Sequence, residues 1–115
     1  MADLLDTDVF IDHLRGANKL RPGRDSVSYS VVTRCELFAG AAADEDRIRL
    51  LLAPFLELPV DRSVAELAGR VRRETRIRTP DALIAATALL HRLTLVTRNA
   101  RDFGRVRHLR TRVPK

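Results

Sequence analysis

Residues 2–15, ADLLDTDVFIDHLR, decide how the rest of the chain is read. The apolar pair Leu4-Leu5 runs straight into Asp6-Thr7-Asp8, and a second apolar run, Val9-Phe10-Ile11, leads into a polar segment. This is the pattern of a short buried strand that delivers carboxylates at its carboxyl end, with a helix starting just beyond. In an open α/β sheet that strand end faces the ligand crevice. An Asp held there either caps the helix or serves a site, and the choice turns on whether other acids reach the same place.

Working outward, the first strand covers residues 3–5 and a helix runs from Thr7 to Arg15, with Gly16 as its stop. Arg21-Pro22-Gly23 reads as a loop and the alternating Ser26–Ser30 as a second strand. Ser30 is placed to cap a helix over 31–42, and Asp44 a helix from Glu45 to about Ala53, ended by Pro54. Residues 55–60, FLELPV, read as a strand. Asp61 or Ser63 opens a long helix to about Arg78, with Val64, Leu67, Ala68 and Val71 at helical spacing. Thr79 as cap and Pro80 in the first helical position open another, which runs to about His91. Residues 93–97, LTLVT, are a strand, and the tail over 106–113 has room for one more. Strands alternating with helices predict a parallel sheet covered on both faces.

The 115 residues suffice for one domain with a single core, 1–115, and are too few for two. Hydrophobic residues make up 45% and charged residues 31%, a globular composition, and no apolar run approaches the roughly 20 residues of a membrane span. Asp3, Asp6 and Asp8 stand where a secretory signal would be basic and then apolar, and the single Cys35 cannot form an internal disulfide. The expectation is a cytoplasmic protein without a membrane partner. The net charge of +6 is concentrated at one end. From Arg98 onward seven basic residues face Asp102 alone, so that segment carries the whole excess. A basic tail on a balanced body suits a polyanion, nucleic acid first, or an acidic partner protein.

Taken singly, each acid has a structural use. Asp6 can cap a helix. Glu36 can sit at the rim of the core. Asp81, in the first turn of a helix apolar almost all round, is favoured by the helix dipole by roughly 0.3–1 kcal/mol. Asn99 and Asp102 suit a turn. Together they require coincidence, because strand ends and helix starts lie along one edge of a parallel sheet. Glu36 has Val32, Thr33, Ala39 and Gly40 as its neighbours one turn away, a small and largely apolar face on which a carboxylate is costly unless paired or bound to a cation. Several carboxylates gathered there would raise one another's pKa, and a divalent cation resolves the repulsion. Hard oxygen donors suit Mg²⁺ or Mn²⁺ rather than zinc, for which the scattered His13, His91 and His108 show no ligand spacing.

Three blocks carry a family likeness: LLDTDVFIDHLRG, then SVVTRCELFAGA, then TPDALIAATALLHRLTLVTRNARDF. In this order they resemble the PIN-domain nucleases, and among these the VapC toxins of VapBC toxin–antitoxin pairs, from Leu4 to about Phe103. The last block, PDALIAATA followed by LVTRN and DF, is the specific one. The resemblance implies a PIN-like three-layer α/β/α sandwich with a central, mostly parallel sheet of four to five strands. It also implies a Mg²⁺-dependent endoribonuclease, with Mn²⁺ as a substitute, acting on RNA as a toxin, held by a VapB-type antitoxin and forming a homodimer.

Carried over position by position, Asp6 matches the first metal-binding Asp, Glu36 the Glu of the second motif and Asp81 the third acid. Asp6 and Asp81 would then be direct ligands, and Glu36 a ligand or a base for the attacking water. The fourth acidic position falls on Asn99, where many relatives have Asp, and Asp102 one turn on is placed to supply the carboxylate. Asp8 stands where relatives usually carry Asn or Ser, and the region between Glu36 and Asp81 looks trimmed. Thr7 and Thr97 match small hydroxyl positions that orient ligands. Arg34, Arg98, Arg101 and the arginines of the tail would hold the RNA backbone. Two other readings stay open. Asn99 leaves room for a PIN fold that binds RNA but cleaves weakly. Asp6-Thr7-Asp8-Val9 mimics the opening of haloacid-dehalogenase-type phosphatases, but neither lysine of the chain, Lys19 or Lys115, has a suitable context.

Overall fold

A computed structural model describes residues 2–17, 20 and 27–114. The loop expected at Arg21-Pro22-Gly23, the first residue of the expected second strand, Ser26, and both lysines lie outside the described residues. The chain runs β1 (Asp3–Leu5), α1 (Thr7–Leu14), β2 (Val27–Ser30), α2 (Val31–Phe38), α3 (Glu45–Leu52), β3 (Leu56–Leu58), α4 (Arg62–Thr75), α5 (Thr79–Leu90), β4 (Thr94–Val96), α6 (Ala100–Phe103) and β5 (Thr111–Arg112). The strands form one five-stranded sheet in the order β3-β2-β1-β4-β5, and every pairing is parallel. β1 is central, with Asp3 opposite both Val27 and Thr94.

The pleat of β1 and β4 divides the core in two. Leu4 and Leu95 enter one cluster with Val64, Ala68, Val71 and Ile84, beneath α4 and α5. Leu5 and Val96 enter the other with Phe10, Tyr29, Leu37 and Ile48, beneath α1, α2 and α3. Alternate side chains of a strand point to opposite faces, so a run apolar at consecutive positions is what a doubly covered parallel strand requires. The result is the expected α/β/α sandwich. Phe10 lies edge-on to both Tyr29 and Phe55, with ring centroids 5.7 and 5.5 Å away.

Three helix starts are capped as the sequence predicts. Ser30 accepts from the Val32 amide, Asp44 from that of Arg47 and Asp61, not Ser63, from that of Val64. Other boundaries differ. α2 closes at Phe38 rather than 42, and residues 39–44 turn the chain into α3. α4 stops at Thr75, because Arg76 takes a left-handed conformation (φ 63°) that turns Ile77 into the core. Arg78, not Thr79, occupies the cap position of α5 and makes no side-chain cap bond. Pro80 therefore falls in the second helical position, where its missing N–H would have found no helical acceptor. β5 is two residues of the tail, paired to β4. Among the described residues no helix is long and apolar enough to cross a membrane.

Candidate active site

The carboxyl ends of β1 and β4 bring Asp6 and Thr97 together. The Asp6 amide donates to the Val96 carbonyl at 2.9 Å, continuing the ladder one residue past β1. Its side chain then does two things. Oδ1 accepts from the Thr7 amide at 2.8 Å, capping α1, and Oδ2 accepts from the Thr97 hydroxyl at 2.8 Å. Capping and a place in the site are thus compatible. Asp6 is 6% exposed, and its carboxyl is pushed up to about 7. Burial is the largest cause, and the charges of Asp8 and Asp81 add to it, against the bonds from Thr97 and the Thr7 amide.

Asp8 lies in the first turn of α1. Its Oδ2 accepts from the Arg98 amide at 3.1 Å and sits 3.2 Å from the Thr97 hydroxyl, while Oδ1 is buried with no hydrogen-bond partner among the described residues. Thr97 has one hydroxyl proton and two carboxylates within reach. The shorter contact gives it to Asp6 and leaves Asp8 under-compensated. Burial raises the Asp8 carboxyl too, opposed by the Arg98 amide and Thr97. Arg98 is held a second time by α1, through a 2.8 Å ion pair from its Nε to Asp12.

Glu36 joins from α2. The Thr7 hydroxyl donates to Glu36 Oε1 at 2.7 Å and lies 2.9 Å from the Thr33 hydroxyl. With the Thr7 proton given to Glu36, Thr33 must be the donor to Thr7, so a chain of hydroxyls fixes the carboxylate. Asp81, in the first turn of α5, is within electrostatic reach of Asp6 and 3.5 Å from the Arg78 Nε. Asn99 donates its side-chain amide to Asp102 at 3.1 Å, and its backbone amide to the Thr97 hydroxyl at 2.9 Å.

The fold therefore links Asp6, Asp8, Thr7, Thr97 and Glu36 by direct hydrogen bonds. Asp81 joins them through its charge, and the Asn99–Asp102 pair through the Asn99 amide. Among the described residues no three His, Cys, Asp or Glu side chains stand close enough to enclose an ion as they lie. Threonine hydroxyls separate the carboxylates instead. The donor set nevertheless fits a hard divalent cation. It is all oxygen, it includes a buried carboxylate oxygen without a donor among the described residues, and its central acid is driven toward protonation by burial and by charges that a cation would offset.

The arginines expected on RNA are differently placed. Arg34 is paired with Glu57 at 2.5 Å and donates to the Tyr29 hydroxyl at 3.0 Å. Arg98 is bound to Asp12, while Arg101 is exposed on α6. Sequence reasoning assigned no part to Thr33 or Asp12. The signal for both was spacing: Thr33 lies one turn before Glu36, and Asp12 one turn after Asp8.

A parallel sheet in this strand order, with a buried acid at the carboxyl end of its central strand, is the arrangement of the PIN domains. The PIN domain family model matches residues 4–109, and the chain belongs to that family. Within it the kinship is with VapC proteins. Ribonuclease VapC10 of Mycobacterium tuberculosis is 39% identical over 112 residues, spanning 87% of this chain and 84% of that protein. A toxin–antitoxin complex from Klebsiella pneumoniae contains a chain 35% identical, with a TM-score of 0.72, over 88% of this chain and 89% of its own. VapBC2 of Rickettsia felis, solved with a promoter DNA fragment, shares the fold over the full length of both chains at a TM-score of 0.82 and 19% identity.

Proposed function

We propose that this chain is a divalent-metal-dependent endoribonuclease and the toxin of a VapBC-type pair. The observation that carries the reading is the buried Asp6 carboxyl, flanked by Asp8 and Asp81 and bonded to Thr97 at a sheet edge. VapC-family membership and the ribonuclease name of the 39% identical relative support it. Asp6, Asp81 and Glu36 would hold Mg²⁺ or Mn²⁺. When bound, such an ion makes a water more acidic and neutralises charge on the phosphate oxygens. Thr7 and Thr97 keep Glu36 and Asp6 oriented, and Asn99 with Asp102 closes the side of the site beyond Thr97. Arg101 lies on the same short helix as Asp102 and is available to a backbone phosphate.

The partner reading rests on a surface beside the acids. A hollow of about 390 Å³ lies among α1, α2 and α3, with an apolar floor of Ile11, Leu14, Leu37 and Ile48 and with Glu36, Asp44, Arg15 and Arg47 also in its wall. An antitoxin segment with an apolar face and one cation would fill it and neutralise the carboxylates. A homodimer and cytoplasmic action on RNA complete the reading. The test is cleavage of a mixed RNA pool with Mg²⁺, with Mn²⁺ and with EDTA, by the wild type and by Asp6→Ala and Asp81→Ala. Cutting that survives EDTA or Asp6→Ala sinks the metal mechanism. RNA bound but left uncut in both metals favours a binding module, the reading that Asn99 keeps open.

A further inference from the structure

Three arginines meet where α4 ends. Arg72 and Arg73 belong to its last turn, and Arg76 follows in the left-handed conformation. With Gly69 they line one open hollow of about 480 Å³ that has no acidic side chain in its wall. Arg72 has structural work, donating to the Ile77 carbonyl at 2.8 Å. Arg73 and Arg76 are exposed and make no ion pair among the described residues. Several other arginines are already taken: Arg98 by Asp12, Arg78 by Asp81, Arg34 by Glu57 and Arg112 by Asp3.

Cations in the last turn of a helix offset its dipole, which accounts for Arg72 and Arg73. It does not account for Arg76. A left-handed position favours glycine, and a side chain there carries a steric penalty. Three guanidinium groups around one hollow also repel one another, and an anion removes the repulsion. We infer that Arg73 and Arg76 form a track for the phosphate backbone of single-stranded RNA, leading to the Asp81 end of the acidic site. The inference rests on the ribonuclease reading for its substrate class. Arg76 and Asp81 are five residues apart, so their Cα atoms lie within about 17 Å of each other. Phosphate rather than base contact fits a chain with only 4% aromatic residues.

The test is anisotropy of a labelled single-stranded oligoribonucleotide in EDTA, where binding is read without cleavage, over a series of salt concentrations. Arg73→Gln and Arg76→Gly should each weaken binding about three- to tenfold near 0.1 M salt. Each should also reduce the slope of log affinity against log salt by about 0.7. Arg76→Gly relieves the backbone and should melt no lower than the wild type, which separates lost contact from lost fold. Arg92→Gly is the matched control, because Arg92 is also exposed and left-handed (φ 54°). Loss confined to Arg73 and Arg76 supports the track, even if the wild type cuts nothing in Mg²⁺ and the nuclease reading fails. Unchanged affinity in both variants overturns it, and so does an equal loss in Arg92→Gly, while a wild type that still cleaves leaves the nuclease reading standing.

Discussion

The Thr97 hydroxyl donates to Asp6 Oδ2 across 91 residues of chain, tying the ends of the two central strands together through a side chain. The bond lowers the Asp6 pKa against a larger rise from burial. Thr97→Val keeps the shape and removes the donor. The Asp6 carboxyl should then titrate still higher, and the acid limb of the pH–cleavage profile should move to higher pH, by about one unit. A profile that drops in height without moving would show that Thr97 only supports the fold.

Asp6 also sets a sign for stability against pH. Its folded value, about 7, lies above the ordinary 3.8. Between these values the folded state binds more protons than the unfolded one, so stability falls as pH rises from about 4 to 7. Between pH 5 and pH 8 the loss should be about 2–3 kcal/mol. Denaturant unfolding at pH 5 and pH 8 should show this loss in the wild type without divalent metal. Asp6→Asn, which can still accept from the Thr7 amide, should flatten it. Mg²⁺ should restore the wild type at pH 8 and leave Asp6→Asn unmoved.

Asp8 adds charge beside Asp6 and leaves one oxygen buried without a donor among the described residues. Asp8→Asn keeps an acceptor for the Arg98 amide and removes the charge. Without metal at pH 8 it should stabilise the protein by about 1 kcal/mol, while weakening the response of melting temperature to Mn²⁺. RNA cleavage should persist, reduced, whereas a phosphatase using Asp8 to shuttle a proton would be dead. Thermal melts with and without Mn²⁺ and one cleavage time course decide the matter.

Local chemistry was legible in the chain, and tertiary chemistry was not. Ser30, Asp44 and Asp61 cap helices because a short polar side chain bonds an amide two or three residues on, and that pattern is readable from neighbours alone. Leu4-Leu5 and Leu95-Val96 mark buried parallel strands for the same reason. The early end of α4 had no such mark, since nothing local in RETRIR demands a left-handed Arg76; burial of Ile77 does. The resemblance picked out Asp6, Glu36 and Asp81, but how they are held was invisible. Thr7 reaches Glu36 across 29 residues, and Arg98 reaches back to Asp12 on α1. The acidic partner of Arg98 was out of view because it lies far along the chain.

Asn99 is where the chain departs from the acidic pattern, and its side chain now donates to Asp102 at 3.1 Å. Asn99→Asp replaces that bond with two facing carboxylates. In EDTA it should lower stability by about 1 kcal/mol, the scale of like charges about 4 Å apart near water. Mn²⁺ should more than recover the loss, with affinity by calorimetry raised severalfold over the wild type, because the new carboxylate sits on the residue whose backbone amide bonds the Thr97 hydroxyl. Unchanged Mn²⁺ affinity, with the stability loss left in place, would mean that position 99 does not face the ion, and that Asp102 serves only as the partner that keeps Asn99 in its turn.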